Sequence, residues 1–193
     1  AFGCAALLDA MASYDSKDST STKRPDKNFE KLLTEDFGSL KIGVIKDIDN
    51  FGINSDVMQS YEASKTILSG LGHELKEVDF SELSSGICSY YVIAPAECSS
   101  NLSRFDGVKY GHRASDQKDI SKLYMETRSE AFGDEVKKRI LIGTHVLSAG
   151  FYDAYYLQAQ KVRRMIKNKF ENIFKDVDLI FMPTTLDQAF EKN

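Results

Sequence analysis

Two β-branched runs, LKIGVIK at residues 40–46 and HELKEVDF at residues 73–80, bracket one amphipathic helical stretch, and this order constrains the fold more than any other feature of the sequence. Leu40, Ile42 and Val44 alternate, the period of a strand buried on at least one face. Between the runs, Asn54 or Ser55 can cap a helix, and Val57, Tyr61, Ser64, Leu68 and Leu71 follow at spacings of three and four before Gly72 can close it. Strand, helix and strand in this order resemble a βαβ unit.

Most of the remaining chain reads as helix. Helical patterns are expected over residues 4–14, from about Ser85 through SYYVIAPAECSSNLSRF, and over residues 119–130, 134–148 and 152–175. DLIFMP at 178–183 is the third strand candidate, stopped by Pro183. Two polar stretches interrupt the pattern, the connector DSKDSTSTKRPDKNFEK and the loop DGVKYGHRASDQ. Three strands against six helical stretches predict a helix-rich α/β fold, with a mixed β-sheet flanked by helices. So small a sheet leaves open edges and covers little of the helical surface, so neighbouring strands are expected outside these 193 residues. The ends suit that expectation, because the chain opens on AFGCAALLDAMASY, already helical in pattern, and closes on PTTLDQAFEKN straight after a strand. Residues 1–193 are accordingly expected to form one partial domain, cut at both ends.

Composition excludes several functions. A chain 42% hydrophobic and 28% charged has the profile of a globular protein. A net charge of -4 argues against gripping nucleic acid through the overall field. No apolar run approaches the roughly 20 residues of a membrane span, and no charged segment leads into an apolar one at the start, so a cytoplasmic protein without membrane contact is expected. Cys4, Cys88 and Cys98 are odd in number and widely spaced, which suggests neither a disulfide framework nor a zinc site. The sequence contains no G-x-G-x-x-G, Walker loop, G-x-S-x-G or clustered carboxylates, and His73, His112 and His145 occupy unrelated contexts. No metal and no cofactor are expected in this chain.

Helix geometry singles out a cation in EAFGDEVKKRI. On the 134–148 helix, Val136, Ile140, Gly143 and Leu147 make one apolar stripe; Arg139 lies at its edge while Lys137 and Lys138 point away. Two readings are open: a snorkelling arginine whose stem covers apolar surface, and a guanidinium fork awaiting a carboxylate. The same geometry on SYYVIAPAECSSNL puts Ile87, Tyr91, Ala94, Cys98 and Leu102 on one stripe and Tyr90, Glu97 and Asn101 along its edge, with a bend expected at Pro95. In KVRRMIKNK, Val162, Ile166 and Phe170 should face inward and leave Lys161, Arg164 and Lys167 as a cationic surface.

SYYVIAPAECSSNLSRFDGVKYG, followed by TRSEAFGDEVKKRILIGTHVLSAGFYDAYYLQAQKVRRMI, resembles the amidase signature family, and within it the ammonia-supplying A subunits of tRNA-dependent amidotransferases. DSKDSTS and, more loosely, the βαβ stretch extend the resemblance to nearly the whole chain. It implies a partial amidase-signature fold and a glutaminase, in which a serine, a second serine in a cis peptide and a lysine release ammonia through an acyl-enzyme. That catalytic set is expected upstream of Ala1, so no catalytic residue is expected here and the chain is expected to be inactive alone. The partners implied are a B subunit, which uses ATP and Mg²⁺ to amidate Glu-tRNA(Gln), and a small C subunit, with the tRNA contacted mainly through B. Two positions match family residues that bind glutamine: Tyr90, and Arg139, which would take the α-carboxylate. Ala131 in place of a usual glycine, and the PTTLDQAFEKN ending, depart from the family pattern. Alternative expectations are a scaffold module for a protein partner, part of an amidase acting on another amide, and self-association of the fragment.

Overall fold

The structure, a computed structural model, describes residues 1–23, 25, 28–115 and 119–192, with Glu82 described by its backbone alone. The middle of the polar connector and the end of the DGVKYGHRASDQ loop lie outside the described residues.

Strand β1 (Lys41–Ile45) is the centre of a three-stranded sheet, flanked by β2 (Glu74–Val78) and β3 (Leu179–Phe181). Ile42 stands opposite Leu75 on one side and Leu179 on the other. Both pairings are parallel, so the mixed sheet that the sequence led us to expect is not what the described strands form. The reason is that each return to the sheet passes over helix, α3 (Ser55–Gly70) before β2 and the long helical segment before β3, and such crossovers bring a strand back in the same direction. The helix-rich α/β architecture itself is as expected.

The Asn54 side chain caps α3 by accepting from the Asp56 amide at 2.9 Å. Tyr61 anchors the helix to the sheet: it is buried, stacks on Phe181 with centroids 5.1 Å apart, and donates its hydroxyl to the Phe181 carbonyl at 3.3 Å. Leu71, expected on the buried stripe, is exposed because it follows the last helical residue, where Gly72 turns the chain with φ of 88°. Val78, Phe80, Ile173 and Val177 form a buried cluster where the end of α7 (Leu157–Ile173) meets the sheet. A π-helical turn, Tyr152–Tyr156, precedes α7.

Helix α4 (Gly86–Leu102) packs between α6 (Asp134–Val146) and α7, and α5 (Ile120–Ala131) lies before α6. It runs unbroken through Pro95. Its buried residues are Ser89, Pro95, Ala96 and Ser99, whereas Ile87 and Tyr91, expected inside, are 70% and 60% exposed. Gly143 accounts for the burial of Pro95 and Ser99. It meets α4 so closely that a Cβ there would overlap the Pro95 carbonyl and come within 2.9 Å of the Ser99 Cβ. At that contact α4 leaves no room for a bulky side chain, while Ile87 and Tyr91, further toward its start, face outward. On α6, Val136 and Ile140 are half-buried and Gly143 buried as expected, but Val146 takes the inward place foreseen for Leu147.

At the N-terminal end, α1 (Phe2–Met11) holds the short α2 (Phe29–Leu32) through Asp9, whose carboxylate accepts the Phe29 and Glu30 amides at 2.7 and 3.0 Å. No described helix is long and apolar enough to cross a membrane.

Candidate functional site

Helix α6 starts at Gly133, which offers no side-chain cap, and its first turn carries Asp134 and Glu135 near the positive end of the helix dipole. Glu135 and Arg139 are one turn apart, in the acid-before-base order that favours pairing. Glu135 Oε1 accepts from Arg139 Nε at 3.0 Å. From the other side, α4 brings Tyr90, whose hydroxyl oxygen accepts from Arg139 Nη1 at 3.4 Å. The bond to Tyr90, and then that to Glu135, hold the guanidinium proton more tightly than in a free arginine, so the cation persists at every working pH. Among the described residues Nη2 has no partner. On the end-on edge of the fork, Nη2 is thus open and, among the described residues, Nη1 is met only by the Tyr90 hydroxyl.

Arg139 and Lys137 are nearly equal in side-chain exposure, 37% and 39%, so depth does not distinguish them as the helical wheel implied. Direction does. Lys137 lies along the α5–α6 groove with Met125, Arg128 and Phe132, whereas Arg139 faces α4 and Tyr90. Lys138 is exposed, as expected.

Tyr90 also lines a cavity of about 250 Å³ between α4 and α7, with Ser89, Ile93, Ala94, Arg163 and Ile166. Arg139 is not part of that lining, so Tyr90 borders a concavity and also meets the guanidinium through its hydroxyl. Tyr90, Glu97 and Asn101 share helix α4 and are all exposed. Glu97 Oε1 accepts from Tyr156 Oη at 3.3 Å. On α7, Val162, Ile166 and Phe170 are half-buried and Lys161, Arg164 and Lys167 exposed, as their spacing indicated; Lys167 pairs with Glu171 at 3.3 Å. Sequence reasoning passed over Glu135, although its i,i+4 spacing to Arg139 was a readable signal.

Among the described residues no three histidine, cysteine, aspartate or glutamate side chains gather as a metal site. The arrangement offers recognition of an anion, through a charged planar donor and an adjoining hydroxyl.

The family model described as Amidase matches residues 3–193, and the chain belongs to that family. Within it, the similarity is to the A subunits of amidotransferases. The glutamyl-tRNA(Gln) amidotransferase A subunit of Pseudomonas entomophila (strain L48) is 49% identical over 188 residues, 97% of this chain and 39% of that protein. The protein of the same name from Trichodesmium erythraeum (strain IMS101) is 47% identical over 190 residues, with the same coverage. This chain thus spans 39% of the length of these relatives. Among solved structures, the glutamyl-tRNA(Gln) amidotransferase A subunit from Thermotoga maritima superposes with a TM-score of 0.63 at 31% identity, covering 93% of this chain and 34% of that one. A 6-aminohexanoate cyclic dimer hydrolase, at 17% identity and TM-score 0.66 over 95% of this chain and 35% of its own, shares the fold.

Proposed function

We propose that this chain is part of the glutaminase subunit of the amidotransferase that converts Glu-tRNA(Gln) to Gln-tRNA(Gln), and that it supplies the end of the site that receives glutamine's α-carboxylate. The observation that carries the assignment is the Arg139 fork, held at Nε by Glu135 and at Nη1 by Tyr90, with Nη2 on its outer edge unpartnered among the described residues. A carboxylate can take two parallel N–H bonds from that edge, and the Tyr90 hydroxyl, which accepts from Nη1, has its own proton free to donate. A lysine at this position would offer a point charge without the planar match. Identity of 49% to an amidotransferase A subunit, over 97% of the chain, supports the choice of glutamine amidotransferase over other amidases.

In this assignment the chain is one partial domain of a cytoplasmic subunit. Its partners are the B and C subunits, with ATP and Mg²⁺ used by B and the tRNA held mainly there. Amide cleavage, glutamine and water going to glutamate and ammonia, is performed by a serine, cis-serine and lysine set outside these residues, so the chain alone is inactive. Steady-state glutaminase kinetics on the full-length protein in its complex test the site. Arg139→Ala should raise the KM for glutamine about tenfold or more, with kcat changing less. An unchanged KM removes Arg139 from the site, and glutamate release by the 193-residue chain alone would disprove its inactivity.

A further inference from the structure

We infer that Glu135 is a positioning residue that holds the Arg139 fork in the orientation a carboxylate can enter, an inference that rests on the glutamine-site assignment above. An arginine on a half-exposed stem samples many rotamers, and a substrate that must first select one of them binds more weakly. Glu135 restricts that freedom near the pivot. Its Oε1 takes Nε at 3.0 Å, the single N–H on the stem side of the guanidinium, and touches neither Nη1, which among the described residues meets only Tyr90, nor Nη2. Tyr90, at 3.4 Å from Nη1, bounds the far end too loosely to orient the group by itself. Glu135 is itself steadied by its place in the first turn of α6, where the helix dipole favours a carboxylate.

The opposing possibility is that Glu135 competes with substrate for the guanidinium. A competitor would occupy two donors of the fork side by side, whereas Glu135 touches one, on the edge a substrate entering end-on does not use. The two roles predict opposite signs. If Glu135 positions Arg139, Glu135→Ala raises the glutamine KM; if it competes, the same change lowers it.

Glutaminase kinetics on the full-length complex decide, with Glu135→Ala, Glu135→Gln, Asp134→Ala, Arg139→Ala and the Glu135→Ala/Arg139→Ala double variant. Glu135→Ala should raise KM about fivefold while kcat stays within about twofold, and Glu135→Gln, which keeps an acceptor for Nε, should restore most of the affinity. Asp134→Ala removes a first-turn carboxylate that does not touch Arg139 and should leave KM unchanged, which separates positioning from a general effect on the helix start. The double variant should be no worse than Arg139→Ala, because Glu135 acts through that residue. A raised KM in Arg139→Ala with an unchanged or lowered KM in Glu135→Ala overturns the positioning role and leaves the glutamine site standing. An unchanged KM in Arg139→Ala overturns both.

Discussion

Replacing Gly143 with alanine probes the contact that sets the spacing of α4 and α6, and with it the reach from Arg139 to Tyr90. The added methyl would overlap the Pro95 carbonyl, a backbone atom that cannot rotate aside, and would also come within 2.9 Å of the Ser99 Cβ. Relief requires the helices to separate by about 1 Å, and overpacking of this kind costs about 1–3 kcal/mol. Against this, alanine in a helix interior is better than glycine by about 1 kcal/mol. Overpacking matches or exceeds that gain, so the net expectation is a destabilisation of about 0–2 kcal/mol. The site should suffer too. Arg139 lies one turn before Gly143, and a bond already at 3.4 Å does not survive such a separation. Denaturation of the full-length protein, followed with its glutamine KM, measures both effects. A Gly143→Ala protein that is more stable than wild type, by the propensity gain alone, would refute the claim that this close approach holds the two helices in register.

Two further predictions concern the frame around the site. Thr127, only 1% exposed, accepts the Ala114 amide at 3.1 Å, so Thr127→Val should leave a buried N–H unpaired and cost about 1–3 kcal/mol, read as a lower denaturation midpoint and faster hydrogen exchange at Ala114. The Ser81 amide, donating at 2.9 Å, and then the Ser81 hydroxyl hold the Asp79 carboxyl below its ordinary range. A carboxyl depressed in the folded state contributes stability above its unfolded value, and that contribution is lost as pH falls from about 4 through the folded value. Asp79→Asn should therefore flatten the acid limb of stability against pH, and an unaltered limb would show that Asp79 plays no part in it.

Much of this architecture was legible in the sequence because it follows from local geometry. Alternation marked Ile42 and Val44 for the inside of β1, the 3.6-residue repeat placed Tyr61 against the sheet, and Asn54 was a readable cap. The same repeat put Arg139 and Tyr90 at the edges of their helices, where the structure finds them within reach of each other. Strand direction was less legible, since a pattern of alternation is the same for parallel and antiparallel pairs and only the crossover path decides.

The inward face of α4 was misread for a different reason. Hydrophobicity ranked Ile87 and Tyr91 above Ser89 and Ser99, but burial follows which side of α4 meets its neighbours, and at Ser99 the space is set by Gly143 on another helix. By itself the sequence determined where the three strands and the longer helices lie, though not the short α2, which it gave to the polar connector, because those choices depend on neighbours a few positions away. Tertiary structure alone decided which faces meet and that Tyr90 reaches a guanidinium 49 positions further along, because a contact between distant segments depends on how closely their backbones can approach.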